Sequence, residues 1–403
     1  MDRVLIVADD LTGALDSGVK FAQCGIQTCV CIDINSLDAS KGPAPVVKVL
    51  VVPSRHVSPA EAYEAVYKAV KQNPGFTVLV KKTDSALRGN VGAELAAVRD
   101  AAHVETVYFL PAFPQMNRIT RGGVQYINGE IPVAESVFGT DPFNPVTDSY
   151  VPKLLNQTTD TPAYSGMRDN TPGIAVLDAE TEEEMLKTVC FLVCQRGARV
   201  LGGCAGLTGV LPKVLDLDRN ASIPEYHASR MPVFCGSVNP VSLRQCRRAE
   251  QDGVPLFHLI QQGQEDEIVA SIVSALENHC VVAFDTGSDQ TGVELEKGNG
   301  GEIAQKVGRI ICGTMARISN AIPFIIGGDT LLAFLNQLGI QTIFPVKELL
   351  PGVVLARYPL NGAWQYLVSK SGGFGEPDLL KNIARQLINV DIQDYAEVKK
   401  YRC

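Results

Sequence analysis

Short, continuous apolar runs alternate with longer amphipathic stretches along the 403 residues, and this rhythm constrains the fold more than any other feature. In the first half the runs are Val4–Ala8, Thr28–Ile32, Val47–Val52, Thr77–Val80, Thr106–Leu110, Gly173–Leu177 and Arg199–Leu201. Helical patterns such as Ala60–Gln72 and Val91–Ala102 lie between them. A strand that is apolar on both faces must be covered on both faces. The intervening helices supply that cover, so the pattern predicts an α/β fold with mainly parallel sheets flanked by helices.

The second half repeats the rhythm at Val233–Cys235, Leu256–Leu259, Val281–Phe284, Phe324–Ile326, Val353–Ala356 and Tyr366–Val368, with helices expected at Glu302–Asn320 and Pro377–Asn389. A polar stretch, Asp216–Arg230, separates the two apolar blocks. The chain length suits two domains, here residues 1–225 and 226–403. Glu294–Gly301 reads as an exposed loop and Asp391–Cys403 as a polar tail.

Composition narrows the function classes. Lys and Arg number 36 against 44 Asp and Glu, a formal net charge of −8, which argues against general binding to nucleic acid. The cysteines number 11, an odd total, irregularly spaced and without C-x-x-C, so neither a disulfide framework nor a zinc site is expected. They read as reduced, buried thiols of a cytoplasmic protein. The N-terminus lacks a signal-peptide core, and no apolar run approaches the roughly 18 residues that span a bilayer.

Polar residues gather where the apolar runs of the first half end. The first run leads into Asp9-Asp10-Leu11-Thr12-Gly13-Ala14. In open α/β sheets ligands bind beyond the strand carboxyl ends, so these carboxylates are site candidates, although one of them could simply cap the next helix. Adjacent residues of a strand point apart, so only one of the pair need face a ligand. The spacing is not the Asp-x-Asp-x-Thr of a haloacid-dehalogenase phosphatase. The run at Thr77–Val80 leads into Lys81-Lys82-Thr83-Asp84-Ser85-Ala86-Leu87-Arg88-Gly89-Asn90, a mainly cationic cluster suited to an anionic ligand. Arg55 follows a third run, and Pro111–Gly123, with Arg118 and Arg121, a fourth. Four polar strand ends in one domain suggest one site.

In the second half three glycine turns follow strands: Cys235-Gly236-Ser237, Ile326-Gly327-Gly328-Asp329-Thr330 and Ser369-Lys370-Ser371-Gly372-Gly373-Phe374-Gly375. Glycine lets the backbone approach a phosphate with its N–H groups pointing inward. Each turn alone could be a tight connection; together they favour a phosphate site. Walker A, dinucleotide and protein-kinase signatures are absent, so any nucleotide is held by a less common design. The five histidines form no metal-ligand cluster, and His258 and His279 read as core or boundary residues.

In order along the chain, Asp9–Ala14, Lys82–Asn90, Pro111–Pro114, Gly327–Thr330 and Lys370–Gly375 resemble the four-carbon acid sugar kinase family. The resemblance implies two α/β domains with the active site in the interdomain cleft. The first would bind a sugar acid and the second ATP. The reaction implied is phosphorylation of the terminal 4-hydroxyl of threonate or erythronate, with 3-oxo-tetronate as the alternative. Matched by motif, Asp10, Arg55, Lys82, Thr83, Asp84 and Ser85 would contact the substrate; the polar strand ends add Asp9, Arg88 and Arg118. Ser237, Gly327, Gly328, Asp329, Thr330, Gly372 and Gly373 would contact ATP.

Asp10 or Asp84 is the expected catalytic group that orients the hydroxyl and accepts its proton. Mg²⁺ should travel on the ATP phosphates; its protein ligands are not identified by the sequence. Two departures from the family pattern, Asn117-Arg118-Ile119-Thr120 for Gly-Arg-Thr-Thr and Ala86 for Thr, bear on the substrate more than on the reaction. The partners expected are the sugar acid and ATP, with no nucleic acid or membrane; a homo-oligomer is compatible with the sequence. The competing readings are a phosphatase or lyase using the paired Asp on a metal, and a non-enzymatic sensor of nucleotide and metabolite.

Overall fold

A computed structural model describes residues 1–33, 45–141, 144–259, 265–287 and 300–390. The chain divides into two compact units, Met1–Ser222 and Ile223–Cys403.

The first unit carries strands β1 (Val4–Ala8), β2 (Thr28–Cys31), β3 (Val47–Val51), β4 (Val78–Lys82), β5 (Thr106–Leu110), β6 (Ile119–Arg121), β7 (Val124–Ile127), β8 (Ile131–Pro132), β9 (Ala163–Ser165), β10 (Gly173–Val176) and β11 (Val200–Gly203). Its helices are α1 (Leu11–Ala22), α2 (Pro59–Lys71), α3 (Val91–Ala102), α4 (Val151–Leu155), α5 (Glu182–Cys190) and α6 (Ala205–Val214). The main sheet runs β2-β3-β1-β4-β11-β5-β10-β9, parallel throughout. Every residue of β1, β2 and β3 is buried, as the continuous apolar runs require. Strands β6, β7 and β8 form a separate antiparallel sheet inside the Pro111–Gly123 region and beyond it. Their runs are too short for apolar periodicity to reveal.

The second unit carries β12 (Met231–Cys235), β13 (Leu256–His258), β14 (Val281–Asp285), β15 (Phe324–Ile326), β16 (Thr342–Leu350), β17 (Val353–Leu360) and β18 (Ala363–Lys370), with α7 (Pro240–Gln251), α8 (Glu265–Asn278), α9 (Gly300–Met315), α10 (Gly328–Gln337) and α11 (Leu379–Ile388). The order β13-β14-β12-β15-β18 is parallel. β17 then pairs antiparallel with β18, and β16 antiparallel with β17, so this sheet is mixed. The sequence reading missed β16 because Thr342–Leu350 interrupts its apolar residues with Pro345, Lys347 and Glu348.

Three further expectations need correction. Gly300 and Gly301 belong to α9; the rest of the expected loop at 294–299, like the tail at 391–403, lies outside the described residues. The helix expected to reach Asn320 stops at Met315. Cys190 and Cys194 are exposed, because they lie on the outer side of α5 and the π-turn that follows it, whereas Cys29, Cys31, Cys204, Cys235 and Cys246 are buried thiols.

Chain order and strand order together position both sites. From β1 the chain pairs first with β3 on one side and then with β4 on the other, which opens a crevice at the carboxyl ends of β1 and β4. From β12 it likewise places β14 on one side and β15 on the other.

Candidate active site

In the first unit the carboxyl ends of β1 and β4 meet around Arg55. Asp10 is the N-cap of α1: its Oδ1 accepts from the Gly13 amide, at short range, and from the Thr12 hydroxyl at 3.1 Å. The capping role therefore belongs to Asp10, and it leaves Oδ2 for a second partner. That partner is Arg55, which also donates through Nε and Nη2 to Asp9 Oδ2 at 2.9 and 2.7 Å. Both aspartates thus reach one guanidinium, contrary to the expectation that adjacent strand residues diverge. The divergence fails because β1 ends at Ala8, leaving Asp9 and Asp10 on a turn.

Arg55 also comes within 3.9 Å of Asp84. Asp84 is gripped more tightly by Arg88, whose Nε and Nη2 lie 3.0 Å from its two carboxylate oxygens. Asp84 further accepts from the Ala86 and Arg88 amides at 3.1 and 3.3 Å. This local wrapping holds Leu87 at φ 67°, in the left-handed region that a bulky residue adopts at a cost of about 1–3 kcal/mol. Arg88 and Arg118 lie over the Phe138 ring at 5.3 and 5.2 Å, and Arg118 donates at short range to the Ser85 hydroxyl. Lys82 is buried and donates to the Thr83 carbonyl at 2.8 Å. Arg121, by contrast, pairs with Glu180 on the surface, at 2.5 Å between Nη2 and Oε2, and takes no part.

The charges hold one another in place. Burial pushes the Asp10 carboxyl up, but Arg55, Lys82 and the Gly13 amide outweigh it and hold it below the usual carboxylate range. The same contest leaves Asp84 far lower still, with burial overcome by Arg88 and Arg55. Burial disfavours the Lys82 ammonium, yet Asp9 and Asp10 raise its pKa above the ordinary value. Two buried atoms in this cluster, Asp9 Oδ1 and Thr83 Oγ1, accept or donate no hydrogen bond. Such atoms are costly unless a ligand or water completes them.

Four residues to which sequence reasoning gave no individual role support the cluster from beneath. Lys81, fully buried, pairs with Glu94 of α3 at 3.0 Å and donates to the Lys82 carbonyl at 2.7 Å. Glu94 takes the Ser54 hydroxyl at short range, and Asn90 Nδ2 donates to the Ser54 and Val57 carbonyls at 2.9 and 2.8 Å. The loop bearing Arg55 is therefore pinned to α3. The signal available was the Lys81-Lys82 pair itself, since neighbours on a buried strand face opposite sides and one of them needs a buried counter-charge. A cavity of about 450 Å³ lies alongside, lined by Arg55, His56, Asn90, Asn144, Gln157 and Thr158 among others. Of the residues expected to contact the substrate it includes only Arg55, with Leu87, Gly89 and Asn90 joining it from the Lys81–Asn90 motif.

In the second unit the three glycine turns come together at the carboxyl ends of β12, β15 and β18. The Gly236 amide donates to the Ile326 carbonyl at 3.0 Å, and the Gly327 amide to the Lys370 carbonyl at 3.0 Å. Gly327 has φ 115°, which an L side chain rarely adopts, and it starts α10. A Cβ on Gly236 would strike the Thr330 side chain, and one on Gly372 would strike the Ser237 hydroxyl. Asn239 caps α7 by accepting from the Val241 amide at 2.9 Å, and its own amide donates to Ser237 Oγ at 3.2 Å. From α7, Gln245 Nε2 donates to the carbonyls of Phe374, Gly375 and Glu376 at 2.8–3.0 Å, which shapes the last turn.

The result is a cradle of close-approaching backbone beside the N-termini of α7 and α10, suited to phosphate oxygens. Asp329, exposed in the first turn of α10, is the carboxylate within these turns. His258 is a satisfied partner, with Nδ1 2.5 Å from Asp285 Oδ1. Among the described residues no group of three or more His, Cys, Asp or Glu could hold a metal ion, and no helix is long and apolar enough to cross a membrane.

Residues 4–211 match the family described as the sugar-binding N-terminal domain, and residues 233–380 the nucleotide-binding C-terminal domain. The chain is 26% identical to a D-threonate kinase of Salmonella typhimurium, over 94% of this chain and 96% of that one. It is 34% identical to a D-erythronate kinase of Heliobacterium modesticaldum, over 38% of this chain and 36% of the relative. With a 3-oxo-tetronate kinase of Methylobacterium radiotolerans it shares 24% over 92% and 96%. A crystal structure of a protein from Salmonella typhimurium LT2 matches with a TM-score of 0.77 at 21% identity, over 96% of this chain and 100% of that one, a likeness of fold. The chain thus belongs to the four-carbon acid sugar kinase family, with a sugar-binding domain followed by a nucleotide-binding domain.

Proposed function

We propose that this protein transfers the γ-phosphoryl group of ATP to the terminal 4-hydroxyl of a four-carbon sugar acid, threonate or erythronate ahead of 3-oxo-tetronate. The observation that carries the reading is the convergence of Asp9, Asp10, Arg55, Lys82 and Asp84 at the β1/β4 crevice of the sugar-binding domain. The nucleotide-binding domain supplies the complementary glycine cradle. The Gly-Gly-Phe-Gly form of the last turn resembles that of threonate kinases more than that of 3-oxo-tetronate kinases.

Lys82 and Arg55 take the acid's carboxylate and neighbouring hydroxyls, relieving the unpartnered Thr83 hydroxyl and Asp9 oxygen. Asp10, not Asp84, orients the reacting hydroxyl. Asp84 is committed to Arg88 through both oxygens, and its side chain is 11% exposed against 29% for Asp10. An Asp10 carboxylate held below its usual range is a weak base. That suits a loose phosphoryl-transfer transition state, in which the hydroxyl is aligned early and gives up its proton late. Ser237, Gly327–Thr330 and Gly372–Gly373 receive the polyphosphate. Asp329 would be the carboxylate available to a Mg²⁺ ion arriving with ATP, which would offset phosphate charge. In-line transfer requires the acid's hydroxyl and the γ-phosphate to meet with water excluded.

The test is ADP release with ATP and Mg²⁺ fixed, against D- and L-threonate, D- and L-erythronate and their 3-oxo forms. One acid clearly ahead supports the reading and names the substrate. Binding of ATP and an acid with no ADP release would favour a sensor, and product without ATP a hydrolase or lyase.

A further inference from the structure

The mechanism leaves one buried charge in the nucleotide-binding domain without a task. Lys370 ends β18, its side chain is fully buried, and no carboxylate among the described residues pairs with it. Its Nζ has three acceptors: Ser242 Oγ at 2.9 Å, the Ser371 carbonyl at 3.0 Å and the Gly372 carbonyl at 3.3 Å. Ser242 in turn donates to the Gly372 carbonyl at 2.6 Å. Three acceptors match the three hydrogens of an ammonium.

The direction of those carbonyls matters. Every peptide bond here is trans, so each N–H points opposite to the C=O of its own peptide unit. Carbonyls 371 and 372 are drawn inward to Lys370, so the amides of Gly372 and Gly373 point outward. Neither amide donates to a protein acceptor among the described residues, and Gly373 is exposed. Two successive outward amides above a buried cation form an anion nest.

We propose that Lys370 is a positioning residue for the nucleotide: its buried ammonium gathers two carbonyls beneath the last glycine turn, aims the Gly372 and Gly373 amides at the polyphosphate and adds its charge to theirs. This rests on reading that turn as part of the ATP site. Burial pushes the Lys370 pKa down to about 8, against a partial opposing effect of Cys235 and Cys246. Those thiols, on β12 and α7, are the titratable groups that face it. Bound phosphate favours the charged form, so ATP affinity should be full below about pH 8 and weaken as the pH rises past it, by up to about tenfold per unit.

The experiment is calorimetric titration of ATP with Mg²⁺ into the full chain between pH 6.5 and 9.5, together with KM for ATP and for the sugar acid. Wild type should show the alkaline loss. Lys370→Met should weaken ATP at least tenfold at pH 7, remove the alkaline loss and leave the KM for the acid within about twofold. Lys370→Arg should restore part of the affinity without the pH dependence.

Gly373→Ala separates the inference from the reading beneath it. Its Cβ would meet nothing nearer than Asn239 Nδ2 at 3.7 Å, so the fold tolerates it, but a methyl group would stand in the phosphate's path. If Gly373→Ala binds ATP normally, the turn is not the phosphate site and both fall. If Gly373→Ala is impaired while Lys370→Met matches wild type, or the wild-type profile is flat, the role of Lys370 alone is overturned. The wild-type profile decides even if Lys370→Met fails to fold.

Discussion

The two units build their strand-end sites from opposite materials. The first uses side-chain charge: Asp9, Asp10 and Asp84 against Arg55, Arg88 and Lys82, all buried or half-buried and each fixing the next. The second uses backbone: glycines where a Cβ would collide, two helix N-termini and a single buried lysine. The difference follows from the ligands each domain is proposed to hold. A small polyhydroxy acid must be told from its stereoisomers, which takes directional groups at fixed positions. A polyphosphate needs only close approach and many donors. Substitutions should therefore act differently in the two places.

The largest effect is expected at Asp10. Asp10→Asn keeps the size of the side chain and can still accept from Gly13, but it loses the charge that orients the hydroxyl. Turnover should fall about 10²–10⁴-fold with KM for ATP nearly unchanged, and the same change at Asp84 should cost less kcat and more stability. Equal losses at the two positions would break the distinction between them.

Next is Arg55→Ala, which strands Asp9 and Asp10 without their guanidinium. Removing one partner of a buried pair costs about 3–5 kcal/mol. Denaturant melts should show it as a loss in the first unit, together with a raised KM for the acid. On the nucleotide side, Ser237→Ala should raise KM for ATP several-fold and leave the KM for the acid unchanged. An effect confined to the acid would invert the comparison.

The smallest effect concerns acid pH. Asp10 and Asp84 have folded-state pKa values below the unfolded value near 3.9. Their stabilisation is therefore present above about pH 4 and drains away as the pH falls toward the folded-state values. Urea melts from pH 3 to 7 should show a plateau above pH 5 and a decline below pH 4, shallower in Asp84→Asn.

The parallel strands were legible because burial on both faces leaves continuous apolar runs, and the ends of β1 and β4 stood out because charge follows those runs directly. Apolar periodicity could not reveal β6, β7 and β8, which pair in short antiparallel segments. It missed β16 because Pro345, Lys347 and Glu348 interrupt its apolar residues. Of the site, the residue types could be read but not their partners. Nothing in Lys81-Lys82 says which lysine turns toward Glu94, because that depends on which face α3 covers. Lys370 sat inside a motif read for its glycines. Its role emerges only once the Ser371 and Gly372 carbonyls are seen to point at it.

The division of labour is tested most directly by titrating both ligands into two variants. ATP and the acid found to be turned over would be measured by calorimetry on Arg55→Ala and on Gly372→Ala, whose Cβ would collide with Ser237. The account predicts a crossover: Arg55→Ala loses the acid and keeps ATP, and Gly372→Ala loses ATP and keeps the acid. Loss of ATP in Arg55→Ala with the acid retained, or the reverse in Gly372→Ala, would contradict it.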